Sequence, residues 1–359
     1  MGWWLFMILV ILQWNARSLI ANGQEFKKFV TDLLDKPQVI CVQETWLKPQ
    51  LDFVIYGYTT IRNDRETGKG GGVATFVRND VKYNLVNKGK EHESVVVRIQ
   101  TGKDSIMIVN FYNPCNRLST DTLNAVCGVT QGKTVWCGDF NAHSTIWRSK
   151  NTDINGSVIE EFIDDKNLVC VNDGKGTQYS SSHNTESAID LTIMSTEMAG
   201  ISLWEVLDQS TVGSDHYPII TRIEVEIHQD SELKTPRWRL DKADWQMFQM
   251  LSEIKCVELV NKDIRDVEEM NRKVTRAIIQ TAEETIPKKT RIEQRKSVPW
   301  WNESCTIVIK KRNKALRQLK AHHTLVTLIN YKRAQAVVRR TIRSAKRGYL
   351  RQFCNKNLK

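Results

Sequence analysis

The chain has 359 residues, 41% of them hydrophobic and 26% charged, a composition typical of a soluble globular protein. Its 7 prolines and 18 glycines exclude collagen-like and low-complexity classes, and the longest apolar run, residues 3–12, is too short for a membrane span. The net charge of +11 is segregated, with 31 Lys and Arg against 13 Asp and Glu in residues 231–359, and 21 against 28 in residues 1–230. We therefore expect a soluble intracellular protein that contacts no membrane.

The first part of the chain, to about residue 227, alternates β-branched or apolar runs with clusters of turn residues. The runs that predict strands are 6–14, 39–43, 72–77, 94–99, 105–112, 134–137, 168–172, 188–193, 201–206 and 217–227. Apolar residues at helical spacing predict helices over 23–34, 121–129 and 157–166. Ten strands with a few helices favour an α/β domain of two packed sheets, and we place this domain at residues 1–228.

The second part of the chain, from about residue 229, predicts a linker and helices instead of strands. Residues 231–255 predict a polar connection, 266–285 a helix that stops before Pro287, and 286–298 a basic loop, so we assign 229–298 as a linker. Residues 299–359 predict a basic helical segment that runs to about Phe353. Its apolar residues recur at three- and four-residue steps: Tyr331, Ala334, Val338, Ile342, Ala345 and Tyr349.

The last 56 residues carry charge of one sign only, with 16 basic and no acidic residues from Ser304 to Lys359. A solvated helix face usually mixes both signs, so this run indicates a polyanionic partner, DNA or RNA. The residues that we predict to contact phosphates are Arg312, Arg339, Arg340, Arg343 and Arg347. An alternative is that the apolar stripe of this helix docks on another protein domain, and both can hold.

Six polar strings lie at or beside the ends of predicted strands, where a rigid sheet edge would hold their side chains toward a substrate. They are Gln13-Trp14-Asn15, Gln43-Glu44-Thr45, Asn110-Phe111-Tyr112-Asn113-Pro114, Gly138-Asp139-Phe140-Asn141, Ala188-Ile189-Asp190-Leu191 and Gly213-Ser214-Asp215-His216. Each string also has a structural interpretation by itself, as a turn or a solvated strand end. Together they supply the carboxylates, imidazole, phenol and amides that metal-assisted phosphodiester cleavage requires.

The order of these strings, WN, QET, FYNP, GDFN, AIDL and SDH, resembles the endonuclease/exonuclease/phosphatase superfamily over about residues 8–226. Within this superfamily, the motif sequences most resemble those of the endonuclease domain of jockey-like non-LTR retrotransposons. The segment from Pro299-Trp300-Trp301-Asn302 onward resembles the region that joins this endonuclease to reverse transcriptase. The resemblance implies a four-layer sandwich of two mixed β-sheets flanked by helices, followed by a basic helical extension.

The resemblance also implies roles for five residues in the reaction. Asp139 would position and activate the attacking water, and Asn141 would orient it. His216, steadied by Asp190, would contact the scissile phosphate. Tyr112 would contact the phosphate or the leaving oxygen.

A metal site is implied by three further residues. Glu44, with Asn15 beside it, would hold Mg²⁺ or Mn²⁺, and Asp215 would lie at the metal edge of the site. Some superfamily members have an acidic residue two positions after the first Asn, where this chain has Arg17. This departure favours one metal ion over two.

The function that the resemblance implies is nicking of target DNA, in the nucleus when the target is chromosomal. Apurinic endonucleases tend to have Asn where Cys115 stands, so we rank repair of abasic sites lower. The chain has no Tyr/Phe-Ala-Asp-Asp motif, and we expect a fragment of a retrotransposon protein without its reverse transcriptase, with element RNA and that domain as further partners. The alternatives are a phosphatase or phosphodiesterase of the same superfamily, and a catalytically idle nucleic-acid-binding fragment.

Overall fold

A computed structural model describes residues 5–89, 92–101, 104–128, 132–227, 240–260, 266–287 and 298–357. The chain divides into two compact units, one containing Met1–Gln229 together with Lys296–Lys359 and the other containing Asp230–Arg295. Most of the predicted basic loop at 286–298, and the start of the predicted polar connection at 231–255, lie outside the described residues. Among the residues described, no helix combines the length and the apolar character needed to cross a bilayer.

The strands all belong to the first unit. In chain order they are β1 (Leu5–Asn15), β2 (Val39–Gln43), β3 (Tyr58–Asn63), β4 (Val73–Arg78), β5 (Tyr83–Lys88), β6 (Glu93–Thr101), β7 (Asp104–Tyr112), β8 (Thr134–Asp139), β9 (Leu168–Cys170), β10 (Gln178–Ser180), β11 (Thr185–Ser187), β12 (Asp190–Ser195), β13 (Ser202–Val206) and β14 (Ile219–Ile227).

The helices lie in both units. Those of the first unit are α1 (Leu19–Asp32), α2 (Thr120–Cys127), α3 (Ile154–Asp165), α4 (Thr196–Ala199), α7 (Glu303–Ala321) and α8 (Leu325–Asn357). The second unit contains α5 (Trp245–Val260) and α6 (Val267–Thr285).

Two six-stranded sheets form the centre of the first unit. The order of the first is β13-β14-β1-β2-β4-β3, and that of the second is β5-β6-β7-β8-β12-β9. Both are mixed, because β1 pairs with β2 and β7 with β8 in parallel while the other neighbours are antiparallel. A separate hairpin is formed by β10 and β11.

The layers follow from which apolar side chains pack together. Strand residues such as Ile11 and Cys41 of the first sheet share one buried cluster with Val97 and Ile108 of the second, so the sheets pack face to face. The other face of the first sheet packs on α1, and the other face of the second packs on α2 and α3. The predicted fold class, a four-layer α/β sandwich of two mixed sheets with a helical C-terminal extension, is confirmed.

Several elements differ from the sequence-based prediction. Strands β3 and β5 were missed because they are sheet-edge strands with few buried positions. Helix α1 begins at Leu19, since the Ser18 hydroxyl accepts the Ala21 N–H. Helix α5 occupies part of the predicted polar connection.

The long C-terminal helical segment is two helices. Helix α7 ends at Ala321 and α8 begins at Leu325. The break is stabilised by Thr324, whose hydroxyl accepts the Thr327 N–H at 3.2 Å, because such a bond satisfies one of the free amides at a helix start. The two helices pack back on the sheet unit, where Leu316, Leu319 and Tyr331 share a buried cluster with residues of β10 and β14.

Candidate active site

Strand register brings the predicted polar residues to one edge of the sandwich. In the first sheet Asn15 is aligned with Gln43 across the parallel β1–β2 pair, so Glu44 follows directly beside it. In the second sheet Asp139 is aligned with Tyr112 on one side and Asp190 on the other. Side chains that end neighbouring strands therefore meet at this edge, as the strings in the sequence indicated.

Buried amides join the two sheets just beneath the site. The Gln13 side chain donates to the Gly138 carbonyl at 3.0 Å, and Gln43 donates to Asn110 Oδ1 at 2.7 Å. Gln13 also accepts the Thr192 hydroxyl. Among the described residues Gln43 Oε1 has no hydrogen-bond partner, so its amide joins the sheets through the nitrogen alone. Buried hydrogen bonds between the sheets fix the relative position of the strands that carry them. Sequence reasoning assigned no role to Gln13 or Gln43, although both stood in the quoted strings.

Asn15 connects carboxylates of the two sheets. Its Nδ2 donates to Glu44 Oε1 at 3.1 Å and to Asp139 Oδ2 at 2.7 Å. Its Oδ1 accepts the Arg17 N–H at 2.9 Å. Asn15, predicted beside the metal, therefore presents its donor nitrogen to both carboxylates and orients them, while its oxygen accepts the Arg17 N–H.

Asp190 and His216 form a buried pair. The His216 ring donates from Nδ1 to Asp190 Oδ2 at 2.9 Å, and the two residues are 3% and 1% exposed. Asp190 Oδ2 also accepts the Thr177 hydroxyl at 2.6 Å. A buried carboxylate with two charge-assisted bonds is held in one orientation. The other ring nitrogen of His216, Nε2, is not bonded to Asp190 and lies 3.4 Å from Gln178 Nε2.

The pKa values of the buried acid and base are both raised. Burial and the neighbouring Asp190 charge raise the pKa of Asp139 to about 8, against the opposing effects of His216 and Asn15. For His216, burial lowers the pKa, but the Asp190 carboxylate and its hydrogen bond outweigh this and raise it to about 10. The imidazolium form of His216 is therefore favoured, which suits a group that donates to a phosphate oxygen.

Tyr112 and Asn141 flank Asp139. Burial, with the negative charges of Glu44 and Asp139, raises the pKa of Tyr112, so its hydroxyl remains a donor. Asn141 adopts a left-handed conformation with a φ of 46°, which Asn tolerates better than most residues. Its N–H donates to Asp139 Oδ1 at 3.2 Å, and its side chain donates to the Asn113 carbonyl at 2.7 Å.

Asp215 lies at the rim and pairs with the Arg17 guanidinium. The side chains are 24% and 59% exposed, so solvent screens this ion pair. The neighbouring Ser214 hydroxyl donates to the Asn15 carbonyl at 2.9 Å and thereby ties this loop to β1. Asp215 is thus paired with Arg17. Arg17 is the residue that stands where some superfamily members have an acidic side chain.

One predicted phosphate contact is not available. Arg312 is 1% exposed, and its guanidinium donates two bonds of 2.8 Å to the two carboxylate oxygens of Glu25 on α1. Because these bonds are buried, Arg312 presents no donor to a phosphate, and we remove it from the predicted set. Arg339, Arg340, Arg343 and Arg347 are all exposed on α8.

Two groups of side chains could hold a cation. Asp139, Asp190 and His216 place ligand atoms within 4.8 Å of one another. Within that group, Asp190 already bonds to His216 through both oxygens. Glu44 is only half-buried, and with Asp139 it shares the same donor, Asn15 Nδ2.

The donor chemistry of the second group fits a hard divalent cation. The Glu44 oxygens accept bonds from Asn15 Nδ2 and from Trp46 Nε1, each at 3.1 Å, and the Tyr112 hydroxyl also bonds to this carboxylate. Each carboxylate oxygen has two lone pairs, so acceptor capacity remains. Two carboxylates that share one amide donor also repel each other, which a cation would relieve. Carboxylate oxygens are the ligands that Mg²⁺ and Mn²⁺ prefer. Glu44 and Asp139 are therefore the residues that would hold the ion.

Comparison with known proteins supports the same family. A family model described as "Endonuclease-reverse transcriptase" matches residues 106–220, which include Tyr112, Asp139 and His216. The RNA-directed DNA polymerase from mobile element jockey of Drosophila funebris is 22% identical over 233 residues, which are 62% of this chain and 24% of that protein. The chain thus spans about a quarter of the length of this curated relative.

Solved structures with the same fold include the endonuclease domain of TRAS1, a telomere-specific non-LTR retrotransposon. It is 22% identical, with a TM-score of 0.52 over 60% of this chain and 98% of that one. The resemblance to the endonuclease/exonuclease/phosphatase superfamily, in its jockey-like form, is confirmed. The two-sheet fold thus carries an acidic and histidine cluster at the edge where the sequence placed these residues.

Proposed function

We propose that this protein is a divalent-metal-dependent endonuclease that nicks DNA by hydrolysing one phosphodiester bond. The observation that carries the proposal is the buried Asp139, Asp190 and His216 group, with ligand atoms within 4.8 Å, beside the half-buried Glu44. This arrangement has a base for water, a donor for the phosphate and free carboxylate oxygens for a cation in one place.

Asp139 orients and deprotonates the attacking water. Its two oxygens are fixed by Asn15 Nδ2 and the Asn141 N–H, so the remaining lone pairs have a set direction toward the substrate. With a pKa of about 8, Asp139 is a stronger base than an ordinary carboxylate once it is ionised, so it orients the water and takes its proton as the bond to phosphorus forms.

His216 and Tyr112 stabilise the negative charge that develops on the phosphate. His216 donates from Nε2 while Asp190, on the other ring nitrogen, stabilises the positive charge. Burial and the acidic neighbours raise the pKa of Tyr112, so it stays protonated and donates its hydroxyl to a phosphate or leaving oxygen. A Mg²⁺ or Mn²⁺ ion held by Glu44 and Asp139 would supply neutralisation of phosphate charge.

The partners that we propose follow from the relatives and from the charge of α8. The jockey relative is an RNA-directed DNA polymerase of a mobile element, so we propose chromosomal DNA as the substrate and the nucleus as the place of action. We also propose that a reverse transcriptase domain belongs to the full-length protein. The exposed arginines of α8 suit the backbone of DNA or of element RNA.

The test is plasmid nicking by the full chain. We expect conversion of supercoiled plasmid to the open circle with Mg²⁺, loss of conversion with EDTA, and recovery when Mg²⁺ is restored. Glu44→Gln should shift the Mg²⁺ dependence to higher concentration, because it removes one charged ligand. Release of phosphate from inositol phosphates without plasmid nicking would favour the phosphatase alternative, and absence of both activities would leave a binding fragment.

A further inference from the structure

A cavity of about 360 Å³ lies between α1 and α8. Its walls combine the first two turns of α1, the loop before β14, and one face of α8. The polar and charged residues that line it are Asn22, Gln24, Glu25, Arg312, Gln335, Arg339, Arg343 and Lys346.

One end of this cavity adjoins the active site. Gly213 lines it and precedes Ser214-Asp215-His216 directly. Asn22 packs on Gly213 so closely that a Cβ at Gly213 would lie 2.7 Å from its Oδ1, and the φ of Gly213 is +88°. Asn22 also donates to the Ala16 carbonyl at 2.9 Å, one residue after Asn15. The loop that carries Asp215 and His216 therefore begins at the wall of this cavity.

The cations that line the cavity outnumber its acidic residues. Glu25 is the acidic residue of the lining, and both its oxygens bond to Arg312. Among the residues that the structure describes, Arg339, Arg343 and Lys346 have no carboxylate within salt-bridge distance. Like charges held together without an acid repel one another, so an anionic ligand would stabilise this arrangement.

Lys27 on α1 also lies in a region with an excess of positive charge. Its pKa is lowered, first by burial and then by the positive charge of Lys346. The two helices therefore bring cations close to each other beside the cavity.

We propose that this cavity binds the phosphodiester backbone of the DNA strand beside the site of cleavage, through Arg339, Arg343 and Lys346. The three residues follow at steps of four and three, so they share one helix face. At 1.5 Å rise per residue they span about 10 Å, which matches about three phosphates of one strand. The inference rests on the proposed endonuclease function and adds where the flanking backbone is held.

The test compares two double variants with equal loss of charge. Arg339→Ala/Arg343→Ala removes two cations of the cavity, whereas Arg333→Ala/Arg351→Ala removes two exposed arginines of α8 outside it. Binding of a duplex oligonucleotide is measured in EDTA, which prevents cleavage, over a series of salt concentrations. We expect the slope of log affinity against log salt to become shallower by about 2 for the cavity variant, since each lost phosphate contact removes about 0.9. The control variant should keep the wild-type slope.

Two further measurements separate this surface from general helix charge. Arg339→Lys/Arg343→Lys should recover most of the slope, because a lysine contacts phosphate as a point charge. In plasmid nicking, the cavity variant should raise KM while kcat stays within about twofold, since the lost contacts are not made only in the transition state. Equal loss of slope in the cavity and control variants would overturn the proposal, as would a loss seen with single-stranded RNA and not with duplex DNA.

The outcomes also separate this proposal from the proposed function. If the wild-type protein does not nick plasmid but only the cavity variant loses salt dependence, the nuclease assignment fails and the cavity assignment stands. If nicking occurs with the same KM and salt slope in all variants, the cavity assignment fails and the nuclease assignment stands.

Discussion

The active-site edge and the exposed face of α8 differ in whether their charged side chains are buried and paired. At the edge, Asp139, Asp190 and His216 are buried, and each has partners supplied by the chain itself. On α8, Arg339 and Arg343 are exposed and have no acidic partner among the described residues. In the first region the chain itself pairs the buried side chains, whereas in the second the described residues supply no acid to pair with the exposed cations.

This difference distinguishes what each region contributes. Charges fixed in a buried network provide preorganised catalysis, since little reorganisation remains when the reaction occurs. Exposed charges of one sign provide affinity that depends on salt and carries no sequence information. Four substitutions test this division, and we order them by the size of the expected effect.

His216→Ala should have the largest effect on activity. The variant loses the group that donates to the phosphate and leaves the Asp190 charge unpaired, so we expect nicking to fall by about 10²–10⁴-fold. The rate of plasmid conversion at saturating Mg²⁺ measures this, with circular dichroism as the check on folding. Wild-type nicking by a folded His216→Ala protein would remove His216 from the mechanism.

Arg312→Ala should have the largest effect on stability. It leaves Glu25 buried without its bidentate partner, and we expect unfolding free energy to fall by about 3–5 kcal/mol. Denaturant unfolding measures this loss. The matched variant Arg312→Met/Glu25→Leu removes both charges and should lie near the wild type, because no unpaired charge remains. Similar destabilisation of both variants would mean that packing, not charge pairing, carries the contribution of Arg312.

Thr177→Val should have an intermediate effect on activity. Its hydroxyl donates to Asp190, so its loss weakens the orientation of the Asp190–His216 pair. We expect kcat to fall about tenfold, equivalent to about 1.4 kcal/mol, with KM unchanged. Thr177→Ser keeps the hydroxyl and should restore kcat, whereas a serine variant as slow as the valine variant would point to packing alone.

Arg17→Ala should have the smallest effect. It removes an ion pair of the same chemistry as Arg312–Glu25 but at the surface, and such pairs contribute about 0.2–1 kcal/mol. Denaturant unfolding of Arg17→Ala beside Arg312→Ala therefore compares exposed and buried pairs in one protein. A loss for Arg17→Ala as large as that for Arg312→Ala would show that exposure does not decide the energy here.

The fold class and the residues at the active-site edge could be predicted from the sequence because both depend on local patterns. Apolar runs identify strands, and a polar residue at a strand end lies at the sheet edge. The runs missed β3, whose half-exposed pattern gives a weak signal. They also missed Thr177, which reaches Asp190 from a loop beside the β10–β11 hairpin.

Contacts between distant segments left no trace in the local pattern. Arg312 stood in a basic run and was predicted to contact phosphate, but it bonds to Glu25, 287 positions away. Asn15 matched a family position for metal binding, and only the geometry shows that its donor nitrogen faces the carboxylates. Burial and hydrogen-bond direction decide such roles, and neither can be read from residue type.

The most direct test of the central claim is the nicking rate of Asp139→Asn relative to the wild type, on supercoiled plasmid with Mg²⁺. Asparagine keeps the shape of the side chain and can accept a hydrogen bond, but it cannot take a proton from water. We predict a fall of about 10²–10⁴-fold, with circular dichroism as the check that the variant is folded. Equal rates for the two proteins would contradict the account, because the edge would then hold no base for hydrolysis.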